Sequence, residues 1–330
     1  MKNIFEKIEH FITQKSLIEP GSTIIVGLSG GPDSVFLLHL LHALSQKLNL
    51  KVIAAHLDHE WRAESAQDIE FCHEICHELD IPLVYTSISE LGAPLRFKGS
   101  KEEIGRKARR AFFEELAQEE NADAIALAHH ADDQQETFFI RLIRGSSLAG
   151  LTAMRPKEGL YIRPLLEIKK EEIVQYLQEH NIPYIEDPSN QLPTFLRNRI
   201  RKQVLPELRK ADPRFDANFT KTLKRLKQTE AFLEKLTAET YKALKSTEDT
   251  GTTVLNLKNL LNLEPVMQDR ILIYWLIQEQ VPFVPTEKFL DEILRFLKQP
   301  GSKEHQIHHD WKLVKKKNMV FITKHEETNE

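Results

Sequence analysis

Cysteine is nearly missing from this chain of 330 residues, which has two, Cys72 and Cys76. They lie in a single helical pattern and make no secreted disulfide framework. Long apolar runs are missing too, and no stretch approaches the ~20 apolar residues that cross a bilayer. Met1 to Glu9 mixes lysine with glutamate and has no apolar signal-peptide core. A cytoplasmic protein without a membrane partner is expected. Charge of one sign is not in excess either. A net charge of −4 and a pI near 6.4 exclude a generic basic nucleic-acid coat. They leave room for a nucleic-acid enzyme, whose footprint is local. Internal repeats and low-complexity tracts are absent.

What is present centres on Ser29-Gly30-Gly31-Pro32-Asp33-Ser34. Before it runs Thr23-Ile24-Ile25-Val26-Gly27-Leu28, a buried-strand pattern, and after it Val35 to Leu48, an apolar helix. A helix N-terminus opening onto a glycine turn offers free N–H groups and a positive dipole end to an anion. Gly30 and Gly31 remove the Cβ atoms that would keep a phosphate off the backbone. Ser29 and Ser34 supply hydroxyls, and Asp33 a carboxylate able to hold Mg²⁺ against phosphates. A plain strand-to-helix turn uses similar residues, but the full hydroxyl–Gly–Gly–x–Asp–hydroxyl string is more than a turn requires. The Gly-Lys-Ser/Thr of a Walker loop is lacking, which excludes that route to γ-phosphate cleavage.

Strand and helix patterns alternate onward. Lys51 to Ala55, Pro82 to Thr86 and Ala122 to Ala128 read as strands, Glu64 to Leu79 and Lys101 to Asn121 as helices. The pattern predicts an α/β fold, a Rossmann-like parallel sheet with helices on both faces. Ligands bind such sheets outside the carboxyl ends of the strands. Three polar clusters fall there: the glycine loop, His56-Leu57-Asp58-His59, and His129-His130-Ala131-Asp132-Asp133. Asp212-Pro213 marks a boundary, giving a catalytic domain over 1–213 and a mainly helical C-terminal domain over 214–330. Within the latter a long linker helix, two further helices and a terminal hairpin turning at Lys316-Lys317-Asn318 are expected.

Each cluster has a plainer reading. Asp132 or Asp133 can cap the helix that follows, worth about 1 kcal/mol, yet two histidines beside two aspartates exceed a cap. Cys72, His73, Cys76 and His77 have helical spacing suggestive of zinc, but the cysteines fall on the apolar stripe and read as core. Arg106, Lys107, Arg109 and Arg110 lie on one basic helix, and Arg197 and Arg201 one turn apart on another. Solvated faces with i, i+4 pairs account for them equally well on spacing alone.

Together the strings resemble the tRNA(Ile)-lysidine synthetases of the PP-loop, or N-type, ATP pyrophosphatases. SGGPDS matches the PP-loop, and His56-Leu57-Asp58-His59-Glu60-Trp61-Arg62 resembles HxDHGLR, with Glu60-Trp61 in place of Gly-Leu. His129 to Thr137 with Arg141-Leu142-Ile143-Arg144-Gly145 resembles GHHxDDQxET…LxRG. Glu186 to Asn190 and Arg197 to Arg201 resemble EDPSN and RNRIR. The strong motifs run from Ile24 to Leu208, and the remainder resembles a helical substrate-binding domain that grips the tRNA.

The resemblance implies an adenine nucleotide alpha hydrolase-like fold and a ligase acting on tRNA(Ile) with the CAU anticodon. ATP, with Mg²⁺ transiently at Asp33, adenylates C2 of the wobble cytidine, and free L-lysine displaces AMP. It implies cofactor contacts from Ser29, Gly30, Gly31, Pro32, Asp33, Ser34, His56, Arg106 and Arg109. Asp33, His129, Asp133 and Arg201 take catalytic roles, His129 on the cytidine and Asp133 on the lysine amine. Arg141, Arg144, Arg197 and Arg201 face the tRNA. A homodimer is left open, and the chain is expected to end before the small further domain many members carry. The rivals are a PP-loop tRNA thiolase, which generally needs catalytic cysteines, and a nucleotide-binding module without chemistry.

Overall fold

The computed structural model describes residues 4–61, 65–92, 97–152, 154–186, 196–247 and 251–324. The Asp187 to Asn190 part of the EDPSN string, Arg62 and Arg96 lie outside them. The chain divides into two compact units, Met1–Thr222 and Leu223–Glu330. The division falls inside the helix Phe215–Leu244, which Asp212-Pro213 precedes.

The first unit is built on β1 (Thr23–Gly27), β2 (Lys51–Asp58), β3 (Leu83–Ser87), β4 (Ala124–Ala126), β5 (Lys157–Glu158) and β6 (Tyr161–Ile162). Their order is β3-β2-β1-β4-β6-β5, parallel except for the final antiparallel pair. Ile25 pairs with Ile53 on one side and Ile125 on the other. Successive residues of a strand face opposite ways, and both faces are covered. Ile24, Val26, Ala54 and Ala126 pack into one core with Val35, Leu37, Leu41 and Cys72. Ile25, Ala55 and Ile125 pack into another with Phe112, Phe113 and Leu116 of the helix Lys101–Glu119. That explains why the strands read as continuous apolar runs. The chain leaves β1 for β2 on one side and meets β4 on the other, so β1 borders the switch point where such sheets bind ligands.

The second unit combines helices with a five-stranded antiparallel sheet, β7 (Lys245–Thr247), β8 (Thr253–Asn256), β9 (Lys303–His308), β10 (Trp311–Lys316) and β11 (Met319–Lys324). The expected terminal hairpin is β10–β11, paired from Trp311↔Lys324 to Lys316↔Met319. The other three strands extend it beyond what the sequence suggested: β8 and β9 flank the hairpin and β7 adds to β8. Their Lys, Glu, His and Thr content hides the alternation. A fully buried Trp275 and the helix Glu287–Lys298 fill its core. Buried Lys315 donates to the carbonyls of Phe296, Leu297 and Gln299, capping that helix's C-terminal end with a cation.

Candidate active site

Beyond β1 the glycine loop closes on itself. Ser34 Oγ accepts the Ser29 N–H at 3.1 Å and donates to the Gly31 carbonyl at 2.9 Å. Ser34 is buried and its hydroxyl shapes the loop; with its hydrogen given to Gly31, it also accepts from Ser29 Oγ, 3.1 Å away. Gly30 sits at φ +77°, where a Cβ would also come within 2.7 Å of Ile185. The Ile185 N–H donates to the Gly30 carbonyl at 2.9 Å, tying the chain just before the EDPSN string to the loop. A Cβ on Gly31 would meet only Ser29 Oγ, at 3.6 Å, leaving the turn open on its ligand side. Pro32 opens the following helix with its missing N–H at no cost.

The loop borders a cavity of about 790 Å³, within the size range of small-molecule sites. Ser29, Gly31, Asp33, Ser34, His56, Arg109, His129, Arg197 and Arg201 all line it. Residues from three strand ends and a distant helical segment therefore converge on one space.

At the end of β2, His56 Nδ1 lies 2.9 Å from the Leu28 carbonyl, which makes Nδ1–H the donor and anchors the loop's entry. Burial holds this imidazole below its ordinary value. Glu60 occupies a left-handed conformation, φ +51°, in the position where the family string has glycine. Its carboxylate offsets that strain by accepting the Ser89 N–H at 2.9 Å and Oγ–H at 2.6 Å. Trp61 stacks on His59 with ring centroids 4.5 Å apart. Gly105 makes room, since a Cβ there would stand 2.9 Å from Trp61. Arg109 Nη2 donates to His59 Nε2 at 2.6 Å. Burial, with the Arg109 charge beside it, pushes His59 down to about 4.

Cys72 and Cys76 are core residues, as their stripe position suggested. Burial pushes their thiols up to about 12 and about 11, so neither is a thiolate at neutral pH. Among the described residues the one grouping of three potential metal ligands is His308, His309 and Asp310, on the β9–β10 turn.

The end of β4 carries the densest charge. Asp133 Oδ2 accepts the His130 N–H at 3.0 Å, a helix cap, and Oδ1 accepts Arg197 Nη2 at 2.6 Å. Burial opposes ionisation of Asp133, but His130 and Arg197 outweigh it and hold its carboxyl below the usual range. Asp132 accepts the Lys170 N–H and Arg209 Nη2, both at 2.9 Å. His130 lies between Asp33, Asp132 and Asp133 at 3.7, 3.6 and 3.4 Å. Burial works against its charge, yet the surrounding carboxylates raise its pKa. His129 is the reverse: burial, helped by Arg163 and Arg197 against Asp133, pushes it down to about 4. A neutral imidazole therefore lines the cavity, while its Nδ1 is buried without a partner.

Glu136, fully buried, fixes both downstream arginines. Arg197 Nε donates to it at 2.6 Å, and Arg201 Nε and Nη2 at 2.5 and 3.1 Å. Their side chains stay about 40% exposed, enough to reach a ligand. Three residues here have no role assigned from sequence: Glu136, which belongs to the His129–Thr137 string, Arg209, which belongs to the basic cluster around Arg197 and Arg201, and Lys170. Lys170 Nζ holds both oxygens of Asp33 at 2.6 Å. The available signal was Glu136 on the helix face of Asp132 and Asp133, with basic residues downstream to match.

Other expected residues lie apart. Arg106 is exposed on the basic helix and is not among the described residues lining the cavity. Arg141 donates to the Gly150 carbonyl at 2.5 Å, a loop-holding contact, and Arg144 is exposed at the same helix end. Asp133 is only 8% exposed and is also not among the cavity-lining residues.

The two depressed histidines predict acid sensitivity. An imidazole whose folded pKa lies below its unfolded value stabilises the fold fully above pH ~6.5, and that contribution is lost as pH falls towards 4. His130, with a raised value, contributes fully below pH ~6.5 and loses its contribution above. The melting temperature is therefore expected to fall between pH 6.5 and 4. A His59→Gln/His129→Gln variant should flatten that slope, and an unchanged slope would remove these histidines as its cause.

The PP-loop domain family matches residues 1–208. A tRNA(Ile)-lysidine synthase of Bacillus cereus is 33% identical over 308 residues, 91% of this chain and 65% of that protein. The Bacillus subtilis tRNA(Ile)-lysidine synthase is 38% identical over 271 residues, 80% of this chain and 57% of that protein. The chain thus spans less than two thirds of the length of these curated relatives. A solved U34-tRNA thiolase from Methanococcus maripaludis has TM-score 0.56 at 20% identity, covering 67% of this chain and 78% of that one. At that identity the likeness is one of fold.

Proposed function

The chain belongs to the PP-loop domain family, and on that footing we propose that it ligates free L-lysine to C2 of the wobble cytidine in tRNA(Ile) with a CAU anticodon. The observation that carries this is the convergence of the glycine loop, His129, Arg197 and Arg201 on one cavity at the switch point of the sheet. A nucleotide-binding module without chemistry has no need of the charged groups gathered at the end of β4.

The reaction has two steps. The C2 oxygen of cytidine forms a bond to the α-phosphorus of ATP while the bond to the β-phosphate breaks, releasing pyrophosphate. The lysine ammonium gives a proton to water, its ε-amine then bonds to C2 and loses a second proton to water, and AMP departs with the oxygen. The open turn at Gly31 and the helix start at Pro32 cradle phosphate. Neutral His129, on the cavity wall, orients the cytidine. Arg109 adds a cation for phosphate on the same wall. Arg197 and Arg201, pinned on Glu136, meet anticodon phosphate or the nucleotide, and Arg197's transfer to RNA uncovers Asp133 for the lysine ammonium.

Asp33 is a hard oxygen donor on the cavity wall, which suits Mg²⁺ brought in by phosphates; among the described residues it belongs to no group of three potential metal ligands. Mg²⁺, when bound, supplies charge neutralisation for the departing pyrophosphate. On this reading residues 1–213 are catalytic and 214–330 grip the tRNA in the cytoplasm, with a homodimer as one assembly. Among the described residues no helix is long and apolar enough to cross a membrane. The thiolase reading is disfavoured by the buried, protonated Cys72 and Cys76.

Incubation with ATP, Mg²⁺, labelled lysine and tRNA(Ile) transcripts differing only at the wobble base tests the proposal. Label is expected in the cytidine transcript alone. Label in none, or in the uridine transcript equally, contradicts it.

A further inference from the structure

Lys170 has no part in the reaction just described, yet it joins two of its clusters. Its Nζ lies 2.6 Å from Oδ1 and 2.6 Å from Oδ2 of Asp33, while its N–H donates to Asp132 at 2.9 Å. It is the first residue of the helix Lys170–Glu179, so a short, fixed backbone carries the ammonium to the loop. Asp33 lines the cavity and Lys170 is not among its described lining residues, so the ammonium reaches the carboxylate from beside the cavity.

A divalent cation needs the same carboxylate lone pairs that the ammonium holds. Both side chains keep contact with water, 36% and 27% exposed, so the pair can exchange partners without stranding a buried charge. Phosphate oxygens, carrying more charge than one carboxylate, attract a lysine strongly. From this geometry we propose that Lys170 is the resting counter-cation of Asp33. When nucleotide arrives, Asp33 passes to the accompanying divalent cation and Lys170 moves to the polyphosphate. Lys170 is then a nucleotide-positioning residue that makes metal binding wait for nucleotide. The inference rests on the ATP reading above.

Two titrations of the full chain separate the possibilities. Mn²⁺ alone is titrated by electron paramagnetic resonance into wild type, Lys170→Met and Lys170→Arg. The second titration uses α,β-methylene-ATP with Mg²⁺, read by calorimetry. Lys170→Met is expected to bind free Mn²⁺ about tenfold tighter and the analogue about tenfold weaker, a ~1.4 kcal/mol change each way. Lys170→Arg should stay near wild type in both. A residue that merely holds the helix start would move both affinities in the same direction. Mn²⁺ affinity unchanged or weakened in Lys170→Met overturns the proposal. If wild type fails to bind the analogue, the ATP reading falls, and the Mn²⁺ comparison still decides whether Lys170 competes for Asp33. The Lys170 N–H bond to Asp132 does not depend on its side chain, and Lys170→Gln replaces the methionine variant should that one not fold.

Discussion

Glu136→Ala is expected to lower stability by about 2–3 kcal/mol and to abolish ligation. The carboxylate is fully buried and accepts three hydrogen bonds from Arg197 and Arg201. With Asp133 it forms a quartet of two acids and two guanidiniums. Removing one acid leaves an extra positive charge beside a core. Breaking a wholly buried pair costs ~3–5 kcal/mol and a surface pair ~0–1. Here the arginines are about 40% exposed and regain water, which places the loss between those limits. Glu136→Gln keeps the volume and some acceptor capacity, so it should retain more stability than alanine. The check is a urea midpoint for both variants beside a ligation assay. A wild-type midpoint for Glu136→Ala would mean that the arginines find equivalent partners.

Much of this site was legible because its chemistry is local in the chain. Ser29 to Ser34 and His129 to Asp133 each carry their chemistry within a few consecutive residues at a strand end, and the parallel sheet brings those ends together. Strands β1, β2 and β4 were legible for a related reason, since burial on both faces makes them apolar, whereas the two-residue β5 and β6 are too short to show a pattern. What escaped is pairwise and distant. Glu136 meets Arg197 and Arg201 across more than sixty residues, and Lys170 meets Asp33 across 137. Composition and spacing carry no record of such pairs. Glu60 shows the opposite: its departure from glycine was visible, but the Ser89 contacts that permit a left-handed glutamate were not. In the second unit, strand β9 reads Lys-Glu-His-Gln-Ile-His, with too little apolar alternation to announce a strand.

Asp133→Asn is expected to reduce ligation about 10²-fold while leaving adenylation of the tRNA, read as pyrophosphate release without lysine, within a few-fold of wild type. The expectation follows from what the site does to this carboxylate. His130 and Arg197 hold its pKa below the ordinary range, so it is ionised throughout the working pH and is a weak base. Proton abstraction from lysine therefore suits it poorly, and charge pairing with the ammonium suits it well. Losing a charge-assisted hydrogen bond costs ~1.5–3 kcal/mol, or about 10- to 10²-fold. The effect should appear in the KM for lysine. Because Asp133 is already ionised, the wild-type rate should show no inflection from it between pH 5 and 8. Arg197 supplies the competing account, since it loses a charged partner in the same variant. If Arg197 placement were the whole function of Asp133, adenylation would fall with ligation and the KM for lysine would stay put. Loss of both steps together would therefore remove Asp133 from the lysine site and leave it as the support of an arginine.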